Sequence, residues 1–482
     1  MSHAMSHDAT SATVLKSTDA ALAAERRQAL SRLVAERVDG PAGCVLLPPL
    51  RPQHRTRQPY YEQLFRQDSW ILYFSGLAMP GAGLILDLDE GRLEVYVPEM
   101  TPDELVWHDA EPTRAEIAAA TGAARVDAPE ALGGRVAELL GSDRPVHVLR
   151  DSDWPGLSAS QALVDAAVEL RLTKSEDEIA RMREVMTVTE RAHHLAMGVT
   201  RPGSSEAEVQ AAVELVFRAA GLSPAYGPIA TCRGEVLHAK RPHRPLQDGD
   251  LFLLDAGAEA DSGYTTDVTR AWPINGRFTE LQGDIYDIVL AANEAGIAAC
   301  KPGDSYVAVH EAASRVIIAG LRELGLIRAG VSDDAVWEVD AHALFFPHGV
   351  GHLIGLDVHD LEELGEERFA YEPGLSRASD KLGRRYLRLN RVMREGMALT
   401  VEPGIYFIAG YLNSAELAER FKAFVDFDKA RELIGFGGVR IEDDVVVRAG
   451  GAEVLSAAIV KERGAVESKV GGRAEGLAAL LG

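Results

Sequence analysis

Phe345-Phe346-Pro347-His348-Gly349-Val350-Gly351-His352-Leu353-Ile354-Gly355-Leu356-Asp357-Val358-His359-Asp360 is the stretch on which the fold and the site turn. It places three of the fourteen histidines within twelve residues, with glycines at 349, 351 and 355 and apolar residues through most of the rest. Glycine lets backbone pass close to a ligand or to another segment. An imidazole among apolar residues must find a partner or stay neutral. One histidine here reads as a satisfied core residue. Three of them, spaced by glycines, read as part of a site whose remaining groups lie on other segments.

Elsewhere in the chain, four apolar runs each carry an acid. They are Leu251-Phe252-Leu253-Leu254-Asp255, Tyr264-Thr265-Thr266-Asp267-Val268, Met397-Ala398-Leu399-Thr400-Val401-Glu402-Pro403 and Val439-Arg440-Ile441-Glu442. Each predicts a strand, and a buried carboxylate is costly unless it is paired or metal-bound. Any one of them alone reads as an edge residue or half of a structural ion pair. Four together with the histidine stretch suit two divalent ions sharing bridging carboxylates. Such a pair, roughly 3.5–4 Å apart, makes hydroxide from water at neutral pH and polarises a carbonyl. Strand alternation puts Arg440 on the face of Glu442, where it holds the carboxylate in place, helps stabilise developing charge, or forms a plain structural ion pair. It also puts Thr265 on the face of Asp267, as a candidate partner for that acid.

Around these segments the chain reads as two α/β parts. Helical spacing covers 20–38, and strands are expected at Gly43–Leu50, Ser69–Phe74, Gly83–Leu88 and Leu93–Val97. Asp89-Glu90-Gly91 is a hairpin signal. Helices at Thr113–Thr121 and Ala131–Leu140 and a strand at Val146–Leu149 complete the first part. It gathers no metal-ligand or nucleophile residues, so it reads as a scaffold. The charged run Leu172–Ile179 opens a long helix, and Ser205 with Glu208 is a capping box for the next. Strands follow at Ala225–Cys232, Asp250–Ala258 and Tyr264–Ile274. Helices at 279–300, 304–324 and 332–343 lead to strands at 345–360, 397–408 and 438–448. A helix pair followed by strands thus occurs twice. The expected limits are a disordered leader 1–18, an N-terminal domain 19–171, a catalytic domain 172–465 and a tail 466–482.

The net charge of −23 disfavours nucleic acid and anionic membranes as partners, because both need basic patches. No apolar run approaches the roughly 20 residues of a membrane span, and the polar start lacks a signal-peptide core. Cys44, Cys232 and Cys300 make no paired motif, which fits a reducing compartment. The expected location is the cytoplasm.

At these residues the chain resembles the Xaa-Pro peptidases of the methionine-aminopeptidase-like "pita-bread" metallopeptidases, aminopeptidase P and prolidase. The matching pieces are Glu235-Val236-Leu237-His238, Asp255-Ala256-Gly257, Asp267-Val268-Thr269-Arg270, His348 through Asp360, Thr400 through Phe407, and Gly438 through Asp444. They run in order over about 172–460, and Phe65 to Ser69 is similar to the family's N-terminal domain. The resemblance implies an α/β (α+β) protein: a creatinase-like α/β domain followed by a pita-bread metallopeptidase domain. It implies a dinuclear exopeptidase that hydrolyses the Xaa-Pro bond at the N-terminus of peptides. Prolidase, acting on Xaa-Pro dipeptides, is the alternative. A non-catalytic pita-bread binding protein is a third, and such relatives lack the ligands.

Carried over residue by residue, the resemblance makes Asp255 a ligand of one metal, His352 and Glu402 ligands of the other, and Asp267 and Glu442 bridges. Glu402 is implied as general base, with His238 and His359 contacting substrate and assisting proton movement. His348 lines the site. Arg388, within an insert at 361–395, matches in position an arginine that in prolidases grips a dipeptide's terminal carboxylate, and a surface arginine is its equal alternative. Arg440 joins the substrate residues. Mn²⁺ is the metal expected first, and the donor set also admits Co²⁺, Zn²⁺ or Fe²⁺. The partners implied are proline-containing peptides or dipeptides and a second copy of the chain, as a homodimer or homotetramer.

Overall fold

The computed structural model describes residues 17–50 and 65–472. Of the expected leader only Ser17 and Thr18 fall among them, and they begin a helix, Ser17–Ala35. Residues 473–482 of the expected tail lie outside the described residues, and its start, Val466–Lys469, closes the helix Arg463–Lys469. The chain divides after Arg171 into two compact units, with Asp261–Gly263 grouped with the first.

The first unit is built on a five-stranded mixed sheet. Its order is Arg125–Asp127, Arg92–Tyr96, Gly83–Asp87, Cys44–Leu47, Val146–His147. The helix Pro129–Leu140 lays Leu132, Val136 and Leu139 on Cys44, Leu46, Ile85 and Tyr96. These positions follow helical spacing, so one stripe is buried. Ser69–Phe74 is not the expected strand. Ser69–Ser75 is a helix, started by Asp68, whose carboxylate accepts from the Trp70 N–H at 2.9 Å, and ended by Gly76 in the left-handed region. All seven residues are buried, so no polar face reveals the period, and their aromatic and β-branched side chains mimic a strand. The two caps were the usable signal.

In the second unit the helix pair followed by strands occurs twice. Glu176–Val199 and Glu206–Ala219 precede the sheet of Thr269–Pro273, Leu251–Asp255 and Ile229–Thr231. Glu280–Ala299 and Tyr306–Glu323 precede the sheet of Ala398–Val401, Asp443–Arg448 and Gly451–Val454, and the pair Gly404–Tyr406 and Gly438–Arg440. Ser205 with Glu208 forms the expected capping box. Among the described residues no helix is long and apolar enough to cross a membrane.

The stretch 345–360 is not a strand. It runs irregularly beside Ala398–Val401, tied by Thr400 N–H to the His352 carbonyl at 2.9 Å and Glu402 N–H to the Val350 carbonyl at 2.7 Å. Gly351 explains the closeness, since a Cβ there would lie 2.2 Å from the Thr400 oxygen. Its glycines break the strand and in exchange bring His352 against Glu402.

Three buried histidines give this fold a pH response. Burial pushes His193 and His310 down to about 3 and His342 down to about 4. At these three positions the unfolded chain therefore binds more protons than the native one below about pH 6.5, and their contribution to stability falls as pH drops from there toward 4, by up to about 1.4 kcal/mol per pH unit for each histidine. Neither ring nitrogen of His310 has a hydrogen-bond partner among the described residues, and its neighbours include Trp337 and Phe346. Calorimetry on His310→Phe should show a Tm advantage over wild type that grows from pH 6.5 to pH 5. A constant difference would reject the assignment.

Candidate metal centre and substrate cavity

The four acids stand at strand ends rather than inside strands. Asp255 closes Leu251–Asp255, Asp267 precedes Thr269–Pro273, Glu402 follows Ala398–Val401, and Glu442 lies between Gly438–Arg440 and Asp443–Arg448. Each half of the unit supplies two of them. Chain ends of strands free the side chains to converge while the ladders hold the backbone. Arg440 and Glu442 therefore do not share one continuous strand.

Asp267, His352 and Glu442 each present a ligand atom within 4.8 Å of the others. His352 Nε2 lies 3.5 Å from Asp267 Oδ2 and 3.8 Å from Glu402 Oε1. The Tyr226 hydroxyl reaches both Asp255 and Asp267, at 2.6 and 2.5 Å, which brings Asp255 into the same cluster. His352 Nδ1 lies 3.0 Å from the Leu353 carbonyl oxygen. A carbonyl can only accept, so Nδ1 carries a proton, and Nε2 is the nitrogen turned toward the acids, free for a metal ion to take. That is the tautomer of a metal-bound imidazole.

Electrostatics fit a cation at this place. Four carboxylates face one guanidinium, Arg440, which donates to Asp255 Oδ2 at 2.7 Å. Burial and the charge of Asp255 push Asp267 up to about 8. Burial and the neighbouring acids raise Glu442 far above the carboxylate range, and burial raises Glu402 as well. Like charges packed this way cannot all ionise unless positive charge joins them. An oxygen-rich set with one imidazole suits divalent first-row ions.

The supporting groups differ from those expected. Thr265 Oγ1 donates to the Gly355 carbonyl at 3.0 Å and does not touch Asp267. The threonine that serves an acid is Thr269, whose hydroxyl donates to Glu442 Oε2 at 2.6 Å and accepts from Arg440 Nε at 3.0 Å. Alternation allowed either neighbour of Asp267; only Thr269 lies in the strand that faces Glu442. Tyr226, Thr269, Asp444 and Asn293 were not singled out from sequence. Asp444 accepts from the Asp267 N–H at 3.0 Å, and Asn293 donates to the Val401 and Ile441 carbonyls at 2.9 and 3.3 Å, just before Glu402 and Glu442. Tyr226 left no local signal, because its partners are 29 and 41 residues away.

Two adjoining cavities, of about 480 and 460 Å³, meet at the acids and share His238, Asp255, Asp267 and His359. The second is lined also by His348, His352, Tyr386, Arg388 and Arg440. His348 uses both nitrogens, at 2.8 Å from the Gly349 carbonyl and 2.9 Å from the Tyr406 hydroxyl, and burial with the nearby Arg440 pushes it down to about 3. It stands as neutral wall. His359 Nδ1 lies 3.3 Å from Glu362 and from Arg388, and its ring meets that of His352 edge-on at 4.4 Å.

Residues 180–449 match metallopeptidase family M24, and residues 23–148 match the aminopeptidase P N-terminal domain. The Xaa-Pro aminopeptidase of Escherichia coli strain K12 is 31% identical over 476 residues, 92% of this chain and 96% of that protein. The human Xaa-Pro dipeptidase is 31% identical over 422 residues, 82% of each chain. The solved structure of Pseudomonas aeruginosa aminopeptidase PepP superposes with a TM-score of 0.75 at 30% identity, covering 97% of this chain and 99% of that one. Escherichia coli aminopeptidase P with the inhibitor Pro-Leu gives 0.74 at 28% identity, covering 95% and 98%.

Proposed function

The chain belongs to metallopeptidase family M24, and we propose that it is an Xaa-Pro aminopeptidase, hydrolysing the bond before proline at the N-terminus of peptides. The observation that carries this is the convergence of Asp255, Asp267, His352, Glu402 and Glu442, all buried but the half-buried Glu402, in one cluster at the meeting of two cavities. We assign all five as ligands of two divalent ions, Mn²⁺ first. Bound there, the ions would lower the pKa of water and polarise the scissile carbonyl.

The chain's own residues do the rest. Glu402 is the general base that takes the proton of the attacking water. His238 and His359, on the walls of both cavities, contact the substrate and donate hydrogen bonds where charge develops. Arg440 holds Asp255 in place, and Thr269 holds Glu442. His348, backed by Tyr406, excludes water from one side. The cytoplasm, the domain limits 19–171 and 172–465, and a homodimer or homotetramer belong to the same proposal.

The charge balance of the second cavity favours the aminopeptidase over the dipeptidase. Each arginine lining it already has an acid: Arg440 has Asp255, Arg377 has Glu366, and Arg388 donates to both oxygens of Glu362 at 2.7 and 2.6 Å. A dipeptide brings a free carboxylate to this cavity and would have to displace an acid from an arginine to be compensated. A longer peptide brings a neutral amide there instead. An Xaa-Pro-Xaa tripeptide is therefore expected to exceed the matching Xaa-Pro dipeptide in kcat/KM by at least about tenfold, about 1.4 kcal/mol of discrimination. The reverse preference, lost in Arg388→Ala, would make the chain a prolidase.

A further inference from the structure

Glu206 opens the helix Glu206–Ala219 and is fully buried, yet it belongs to no part of the metal cluster. Its carboxylate is a gathering point for one loop. Oε1 accepts from the Thr231 hydroxyl at 3.0 Å, the Cys232 N–H at 2.9 Å and the Cys232 thiol at 3.3 Å. Oε2 accepts from the N–H groups of His243 and Arg244, at 2.9 and 3.0 Å. Arg244 Nη1 stands 3.5 Å from Oε1, and the Glu206 N–H donates to the Arg244 carbonyl at 3.0 Å. The residues so gathered are the two ends of the segment 232–243.

That segment carries His238 into both cavities. Between Arg233 and Arg244 it has no strand pairing, and its internal bonds are short-range, such as Val236 N–H to the Arg233 carbonyl at 2.9 Å. It touches the second half of the unit at Gly234, where a Cβ would lie 2.5 Å from the Gly438 oxygen. A loop of this kind needs its ends fixed if its tip is to hold one position, because closing it costs chain entropy that its own contacts do not repay. A buried carboxylate with no partner would be costly, so these donors and Glu206 hold each other.

We propose that Glu206 is a positioning residue for catalysis: it ties the two ends of the 232–243 loop together and thereby sets His238 against the substrate. This rests on the reading of His238 given above.

The experiment is a double-mutant cycle on the metal-loaded, full-length protein with an Xaa-Pro-Xaa tripeptide, accompanied by limited trypsin digestion at Arg233 and Lys240. Glu206→Gln keeps the shape and removes the charge. It should lower kcat at least about 30-fold, leave metal content unchanged and speed cleavage within the loop. In a His238→Ala background the same substitution should change kcat by less than about twofold, because the group it serves is gone. Thr231→Val, a milder cut of the same tie, should show a smaller loss with the same dependence on His238, and it decides the matter if Glu206→Gln does not fold. Equal losses with and without His238, or wild-type kinetics in Glu206→Gln, would overturn the proposal. So would full activity in His238→Ala. If the wild-type protein hydrolyses no Xaa-Pro peptide, the functional reading fails; unchanged trypsin cleavage in Glu206→Gln then overturns the tie independently.

Discussion

Dialysis against a chelator is expected to abolish hydrolysis of Xaa-Pro peptides, and added Mn²⁺ to restore it. The loss should exceed about 10³-fold, since losing even one donor to a developing oxyanion costs 10²–10³. No other group in the cavities can both polarise a carbonyl and lower the pKa of water. Metal removal should also leave a mark on stability. The raised acids, with Asp267 up to about 8 and Glu402 and Glu442 raised as well, favour the folded state only while protonated. Their contribution is present below the ordinary carboxylate range and is lost as pH rises toward 8. The buried histidines are neutral in both states over the upper part of that window, so they do not mask the effect. Metal-free protein should therefore melt lower at pH 8 than at pH 6.5 by calorimetry, while loaded protein shows no such drop. Undiminished turnover in protein shown by elemental analysis to hold no metal would sink the mechanism.

His352→Ala is expected to lose one metal equivalent and, with it, more than about 10³-fold in kcat/KM, whereas His348→Ala keeps both metals. The two histidines are four residues apart, and their hydrogen bonds set them apart. His352 spends one nitrogen on the Leu353 carbonyl and turns the other to Asp267 and Glu402. His348 spends both, on the Gly349 carbonyl and the Tyr406 hydroxyl. Losing His348 removes a wall and loosens Tyr406, which also accepts from Arg440 Nη1 at 3.0 Å. An effect of the size seen for orienting partners, about 10–100-fold, is expected there. Elemental analysis per protein is the decisive measurement, and metal lost from His348→Ala but retained by His352→Ala would falsify the assignment.

Helices announced themselves in the sequence where a cap and a period agreed. Ser205 with Glu208 marked one start, and the helix expected at Thr113–Thr121 proves to be capped by a Thr113–Glu116 box on which that expectation did not rest. Where burial is complete the period vanishes, and Ser69–Phe74 reads as a strand although the helix Ser69–Ser75 has Asp68 and Gly76 at its ends. The stretch 345–360 failed for a different reason: its apolar residues promised a strand, but its glycines made it a coil laid against one. The acids were legible because an ionisable group in an apolar run is chemically out of place. Their partners were not. Tyr226 and Asn293 look like ordinary residues until the fold carries them across tens to more than a hundred positions of chain. Thr265 and Thr269 show the limit most directly, since both sit two residues from Asp267 and only pairing with the far half separates them.

The division of the acids between two halves also fixes when, during synthesis, the molecule becomes reactive. Thr269 and the Glu442 it supports are 173 residues apart. The first half brings only Asp255 and Asp267, and their partners Arg440 and Asp444 arrive with the second half. Domains fold as units and at rates of about 5–20 residues per second of translation, so tens of seconds at the slow end of that range separate the two contributions. On the ligand assignment proposed above, a growing chain is expected to bind its metals only after translation has passed Glu442.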